Sequence, residues 1–449
     1  MSAAWNDRNR AVELWDGKRT AMRTRTTVAT VAAVTAWCLG VGIARCGPAS
    51  GAEGTDGPVA CVRLGEAMVQ GTGTAKGPAQ ARQWFAKAIA GFHRLAWLGH
   101  PRVRYALSPF FDDPRLAASD GQADAYWLMA EAFVNGLERS PEPQEASRWF
   151  AKAVARYEPM AREGSPVACC HMGEAAMYGK GAAKDASAAS QWYAKAIEGY
   201  RKAADKGDSS ALYMLGDLYV RGLGADKDLK QGADWWRKAA AAGNVQAMER
   251  LGFVFDIDTI GDFGQALNTK DKDVMKKVIK QHIEWLRMAA EKGSPLGCAH
   301  MAEAYIGGEG GVVAKDVPLA IQWLEKATDG PTEYAVTINE SRVYLARIYR
   351  AGKIVDKNEK RAGELFAQAL PHFRQRAEWA DSWGMFNLGE LYENGEGVPA
   401  DHDQAMVWYR KAAQAGDRSA QDLLKRLEAE AVKRRALSEI KPAKDADAP

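Results

Sequence analysis

The chain has 449 residues, and its 60 Lys and Arg nearly balance 57 Asp and Glu, for a net charge of +3. So even a balance excludes the basic footprint of a nucleic-acid-binding protein, and six irregularly spaced cysteines exclude a disulfide scaffold. The abundance of Ala, Gly and Trp favours closely packed helices over sheet.

Residues 1–27 are polar, with Arg8, Arg10, Lys18, Arg19, Arg23 and Arg25 against Asp7, Glu13 and Asp16. Val28 to Ala44 carries no charge, and 17 residues at about 1.5 Å each reach about 26 Å, enough for a short membrane span. The basic flank precedes this run, so the expected arrangement is a transmembrane signal anchor with residues 1–27 in the cytoplasm. The expected location is the bacterial inner membrane, with the repeats facing the periplasm. Cleavage after the run, giving a secreted or periplasmic chain, is the alternative. Residues 45–57, rich in Gly and small residues, read as a flexible tether.

From residue 58 a pattern recurs: Ala-x-x-x-Leu/Met-small-acid-x-aromatic, a Gly-rich turn, then Ala-x-x-Trp-aromatic-x-Lys-Ala. Residues 211–243 and 384–416 are the clearest copies. Registered on the small residue, the eight copies carry Gly65, Ala130, Gly173, Gly216, Gly252, Ala302, Ala346 and Gly389. In five copies the Trp of the second helix follows this marker by 19 residues, from Gly65–Trp84 to Gly389–Trp408. A fixed spacing of large and small residues predicts about eight stacked helical hairpins, an all-α, alpha-alpha superhelix behind the N-terminal transmembrane helix.

In the first helix of each unit, the residue three after the marker forms a mostly aromatic column: Met68, Phe133, Ala176, Tyr219, Phe255, Tyr305, Tyr349 and Tyr392. It is expected in the core. In the second helix, Trp84, Trp149, Trp192, Trp235, Trp285, Trp323, Leu365 and Trp408 are each followed four residues later by Ala. A ring one turn from an alanine predicts a core knob beside a gap for the next helix. Gly179-Lys180-Gly181, Gly222-Leu223-Gly224 and Gly395-Glu396-Gly397 mark the turns between the helices, where Gly supplies positive φ. Insertions are expected at 93–122 and 256–281. Ser419 to Ala436 reads as a charged capping helix and 437–449 as a disordered tail, so that beyond a repeat region of 58–428 the segment 429–449 holds the end of the capping helix and the tail.

The Leu-Gly-x-x-Tyr run, the Gly-x-Gly turn and the Trp-Tyr/Trp-x-Lys-Ala-Ala run, best seen at 215–240 and 388–413, resemble the Sel-one-like repeat (SLR) family, relatives of tetratricopeptide (TPR) repeats. The resemblance covers about residues 58–428. It implies a curved solenoid acting as an adaptor or scaffold. Some relatives in that family are described as cysteine-rich and β-lactamase-like, with cysteine pairs bridging each repeat; this chain lacks that pattern.

The chemistry-bearing residues favour packing over catalysis. Cys61, Cys169 and Cys298 all stand four before the marker, so they read as equivalent buried residues. His171 with Glu174, and His300 with Glu303, each offer half of a metal site, but three repeats apart. An acid follows the marker in six of eight units, which suggests a solvated face or turn capping. The position two before the marker varies instead: Arg63, Leu128, His171, Met214, Arg250, His300, Tyr344 and Asn387. Variation on a regular scaffold is what a ligand-facing column shows, so Arg63, His171, Arg250, His300, Tyr344 and Asn387 are the candidate partner contacts. The expectation is a membrane-anchored scaffold that binds another protein or an extended peptide, without cofactor, metal or nucleic acid. A cell-wall peptide or β-lactam hydrolase and a secreted host-interaction protein are the rival readings.

Overall fold

A computed structural model describes residues 57–71, 77–98, 121–135, 141–253, 272–308, 312–331, 334–353 and 355–440. Among them stand 17 helices and no strand. The first four repeats contribute α1 (Pro58–Gln70) and α2 (Pro78–Trp97), α3 (Gln122–Asn135) and α4 (Pro143–Arg162), α5 (Pro166–Tyr178) and α6 (Ala186–Ala204), and α7 (Ser209–Arg221) and α8 (Leu229–Ala241). There follow α9 (Val245–Phe253) and α10 (Lys272–Glu291), α11 (Pro295–Gly307) and α12 (Val317–Ala327), α13 (Ala335–Ala351) and α14 (Glu359–Glu378), and α15 (Ser382–Asn394) and α16 (His402–Gln414). A last helix, α17 (Arg418–Ile440), packs on α16. The substantial packing runs between sequence neighbours, with α1 on α3 and α11 on α13 as next-neighbour additions. The described part of the chain is therefore an all-helical solenoid.

Local chemistry sets each boundary. Asp185, Asp208, Asp228, Asp316, Asp381 and Asp401 cap helix starts, each side chain accepting from a first-turn backbone N–H. Inside each hairpin, the residue before the second helix donates its N–H to the carbonyl three after the marker. The bond recurs at Gly77–Met68, Glu142–Phe133, Asp185–Ala176, Asp228–Tyr219, Asp316–Tyr305, Asn358–Tyr349 and Asp401–Tyr392, between 2.8 and 3.3 Å. The aromatic column thus supplies a backbone clasp as well as side chains. Between hairpins a left-handed Gly ends the second helix, as at Gly207 (φ 85°) and Gly243 (φ 88°). At the seventh such junction the position is Ala380, φ 57°, the one non-glycine with positive φ among the described residues.

The core differs from expectation by one residue. The Trp column is half-buried, apart from Trp149 and its seventh member Leu365, and the side chain after it is the core knob: Phe85, Phe150, Tyr193, Trp236, Leu286, Leu324, Phe366 and Tyr409, all 1–4% exposed. Adjacent helical residues point about 100° apart. The alanine three residues after each knob, and in six units another four before it, centre the buried meridian on the knob and leave the Trp at its edge. All eight predicted alanines, from Ala88 to Ala412, are fully buried.

The marker's small size serves a ring rather than a second backbone. A Cβ on Gly216 would lie 2.2 Å from Cδ1 of Trp236, whose indole Nε1 donates to the Tyr213 carbonyl at 3.2 Å. Tyr193 would lie 2.8 Å from a Cβ on Gly173, and Phe85 2.7 Å from one on Gly65. Each ring buries on the order of 150–250 Å², and the contact repeats along the stack.

Among the described residues the aromatic column is half-buried, except for the buried Ala176 and Tyr219; Phe255 lies outside the described residues. Its hydroxyls reach the second helix of the preceding repeat: Tyr219 accepts from Arg201, and Tyr349 donates to Glu325 at 2.9 Å. Helix α2 continues to Trp97 and α10 begins at Lys272, inside the ranges expected as insertions, most of whose remaining residues lie outside the described ones. The apolar run 28–44, the tether and residues 441–449 lie outside the described residues. Among the described residues no helix is long and apolar enough to cross a membrane.

Candidate functional site

The variable column two before the marker is not one continuous surface. Arg63 is exposed on α1, and Arg250, His300, Tyr344 and Asn387 are half-buried on α9, α11, α13 and α15. Between them, Leu128, His171 and Met214 are buried. The reason lies in their helices: Gln122–Ala132 of α3, Val167–Ala176 of α5 and Ser210–Tyr219 of α7 are buried without interruption. A helix buried all round offers no side to a partner.

His171 is fully buried, stacked on Tyr157 at 4.5 Å and tilted against Trp127 at 5.0 Å. Burial pushes its imidazole down to about 4, with Glu174 opposing and Lys180 assisting. His171 is thus a neutral core ring, withdrawn from the partner-facing set. The other members keep polar partners on the stack. Arg250 Nε donates to the Tyr213 hydroxyl at 3.1 Å, His300 Nδ1 meets Glu303 Oε2 at 3.2 Å, and Asn387 donates to the Trp383 carbonyl at 2.8 Å.

In the second, third and fourth repeats the acidic column, Glu131, Glu174 and Asp217, is buried and paired rather than solvated, while Glu66, Glu303 and Glu390 are half-buried. Lys180, in the turn of the third repeat, reaches Glu131 of the second at 2.6 Å and Glu174 of its own at 2.8 Å. Burial pushes the Glu131 carboxyl up, with Lys180 opposing. Burial also works to raise Glu174, but Lys180, His171 and Arg221 hold it below its ordinary value. Burial works against the Lys180 charge, yet the two carboxylates hold the ammonium above its usual range. Asp217 pairs with Arg221 at 3.2 Å, and Glu66 takes Lys152 from the next repeat at 2.7 Å.

At the far end the same positions recur with the sign exchanged. Arg347 stands where the acid is expected, and Glu396, 1% exposed, occupies the turn position that Lys180 holds in the third repeat. Arg347 Nη2 reaches Glu396 at 2.7 Å and Glu390 at 3.3 Å, and Arg350 reaches Glu396 at 2.6 Å. Sequence reading missed this network because its bridging pairs, Lys180–Glu131 and Arg347–Glu396, join neighbouring repeats, 49 residues apart. The cue was present in the turns, where Lys180 and Glu396 stand between paired glycines.

The three aligned thiols behave as equivalents. Cys61, Cys169 and Cys298 are buried and unbridged, and Cys169 and Cys298 each donate to a carbonyl eight residues earlier, at 3.5 and 3.7 Å. Burial pushes Cys298 up to about 11 and Cys169 upward as well, which keeps thiolate, the reactive form, scarce. Among the described residues no group of three or more His, Cys, Asp and Glu stands close enough to hold a metal ion. The two His-x-x-Glu pairs remain on α5 and α11, in separate repeats.

On the opposite helices, six of the seven column tryptophans carry a lysine over the ring, the exception being Trp285, where Met288 takes the lysine's place. Lys87 lies 4.8 Å from Trp84, Lys152 4.1 Å from Trp149, Lys195 4.5 Å from Trp192 and Lys238 4.1 Å from Trp235. The pairs Lys326–Trp323 and Lys411–Trp408 repeat it at 4.3 and 4.2 Å. Spacing of three places the two side chains on one helix face, where a cation over an indole gains about 0.5–1 kcal/mol at an exposed site.

Comparison with known proteins places this geometry. The Sel1 repeat family model matches residues 58–91, 123–156, 166–199, 209–244, 274–294, 295–330, 340–370 and 384–417. A Sel1 repeat protein from Oxalobacter formigenes is 21% identical, with 82% of this chain and 86% of that one covered and a TM-score of 0.40. A protective antigen present in uropathogenic Escherichia coli strains, with an SLR fold, is 20% identical over 88% and 96% of the two chains, with a TM-score of 0.27. An uncharacterized protein of Neisseria meningitidis serogroup B is 30% identical over 142 residues. That stretch is 31% of this chain and 26% of the relative, so the match spans about a quarter of the relative's length.

Proposed function

The chain belongs to the Sel1 repeat family, and on that footing we propose that it is an interaction scaffold that holds another protein or an extended peptide along its stacked hairpins. Sel1 repeat proteins typically mediate protein–protein interaction, and the family is generally non-enzymatic. The observation that carries the reading is a separation of tasks along the stack. The ring-on-small-residue contact and the hairpin clasp recur from repeat to repeat, while the position two before the marker changes among Arg63, Arg250, His300, Tyr344 and Asn387. Recurring columns hold the units together; the accessible variable positions are free to select a partner.

Crosslinking in intact cells followed by mass spectrometry tests it. Charge reversal at Arg63 and Arg250 is expected to reduce capture of the major crosslinked protein about tenfold, a difference of about 1.4 kcal/mol, with helix content unchanged. Undiminished capture would remove these positions from the contact set, and absence of any saturable partner would remove the scaffold reading.

The apolar run 28–44, preceded by six basic residues, supports a second part of the proposal: a single membrane-spanning anchor with the repeats outside the bacterial cytoplasm. Val34→Arg with Leu39→Arg is expected to release the chain from the membrane fraction on alkaline extraction. Retention of the double variant would refute the anchor.

A further inference from the structure

We propose that the partner is an acidic, extended polypeptide and that it docks on the second-helix face of the first four repeats, across the lysine-capped indoles. The inference rests on the scaffold reading and adds to its first-helix contact positions a second contact face and the partner's chemistry.

Charge is segregated between the two helix sets. Helix α2 carries Arg82, Lys87 and Arg94 and no acidic residue. Helices α4, α6 and α8 each carry two more basic than acidic residues. Several of their acids are already paired on the same helix: Glu158 with Arg162, Glu198 with Lys202 and Asp234 with Arg237. Of the first helices, α3 and α5 carry only acids, Asp124, Glu131 and Glu174, all buried, while α1 and α7 each carry one acid and one base. Positive charge is therefore turned outward on one face of a chain whose net charge is only +3.

That face repeats. Lys87, Lys195 and Lys238 are exposed at the same position of their repeats, each held over an indole. Adjacent packed helices lie about 10 Å apart, and an extended chain advances about 3.3 Å per residue. The second helices of successive repeats pack chiefly on the first helix between them, so a strand crossing the face would meet a fresh lysine only after several residues. The stack also orders each ammonium in advance, which lowers the entropy lost on pairing it with a carboxylate.

The surroundings distinguish the ligand class. Ala86, Ala151 and Ala194, between Trp and Lys, are exposed, and the indoles are half-buried. Insertion into lipid needs protruding aromatic or aliphatic side chains, which these alanines do not supply. A smooth face with spaced cations fits a backbone lying flat with carboxylates reaching down.

The test uses the full chain with poly-L-glutamate as the probe and tryptophan fluorescence as the readout, since a carboxylate that draws the ammonium off the ring alters the indole's surroundings. Saturable binding is expected at about 50 mM salt and its loss near 0.5 M, where the Debye length falls to about 4 Å. Lys87→Glu, Lys195→Glu and Lys238→Glu together should weaken binding at least about tenfold while circular dichroism stays unchanged; the Lys→Gln triple keeps the fold test honest if reversal unfolds the chain. Lys425→Glu, exposed on α17 and outside both contact sets, should leave binding unaltered. No saturable binding, equal binding by the Lys→Gln triple, or stronger binding to phosphatidylglycerol vesicles than to the polypeptide would each overturn the proposal. If the Lys→Glu triple captures its crosslinked cellular partner as well as the parent chain, the docking face is wrong and the scaffold reading stands. If neither captures a partner, the scaffold reading itself fails.

Discussion

Gly216 has no room for a methyl group. A Cβ there would sit 2.2 Å from the Trp236 ring, inside the van der Waals contact of two carbons, and the ring is itself fixed by its bond to the Tyr213 carbonyl. Gly216→Ala is expected to cost about 1–3 kcal/mol in urea unfolding, as an overpacked core does. Gly207→Ala supplies the contrast: no heavy atom lies within 4 Å of its added Cβ, so only the positive φ opposes it, at about 1 kcal/mol. Ala380 runs the other way. It already holds a left-handed conformation where most junctions have Gly, so Ala380→Gly should stabilise the chain by about 0.5–1 kcal/mol after the added freedom of the unfolded chain is subtracted. A melting temperature that falls in the Ala380→Gly variant would contradict the strain assigned to this junction.

At the scale of the hairpin, Lys180 joins two elements by charge. Its replacement by Met removes the shared cation from two buried carboxylates, Glu131 and Glu174, and is expected to destabilise by about 3–5 kcal/mol, measured by denaturant unfolding. Adding Glu131→Gln and Glu174→Gln to that variant should return part of the loss; no recovery would mean that lysine packing, not charge, is the main contribution. This coupling also marks the limit of what the sequence discloses. Helix pairing, the marker column and the eight alanines are readable, because each depends on residues within about 20 positions of one another. Whether Trp235 or Trp236 fills the core is not readable from apolar character, since both are large rings; the flanking small residues Gly232 and Ala239 decide it. The burial of Glu131 is hidden, because its partner arrives from another unit. Of the variable column, identity was legible, but exposure depended on how neighbouring helices enclose α3, α5 and α7.

For the whole molecule, protonation couples to folding through three imidazoles. Burial pushes His93, His171 and His372 each down to about 4. The unfolded chain takes up these protons near pH 6.5, while the folded chain resists until about pH 4. Over that window the unfolded state binds more protons, so stability falls as pH drops from about 6.5 to about 4 and is fully present above it. Each histidine contributes up to about 3 kcal/mol of that loss. His372→Leu should make the decline of melting temperature shallower; an unchanged slope would place the proton uptake on other groups. Because substantial contacts run only between neighbouring and next-neighbouring helices, stability is distributed along the stack rather than held at one centre. Hydrogen exchange should therefore be slowest in α5 and α7, flanked on both sides, and faster in α1 and α16 toward the ends.

The opposite signs at Lys180 and Glu396 give the array a reading direction. A hairpin built like the eighth, if spliced in after the second, would bring a carboxylate rather than an ammonium against Glu131; one built like the third, if placed after the seventh, would set an ammonium beside Arg347 and Arg350. Units that share one backbone pattern are thus keyed to their places, as teeth cut for a single lock. Lengthening such a chain by copying an interior unit would carry an electrostatic mismatch into the new joint unless the turn residue changed with it.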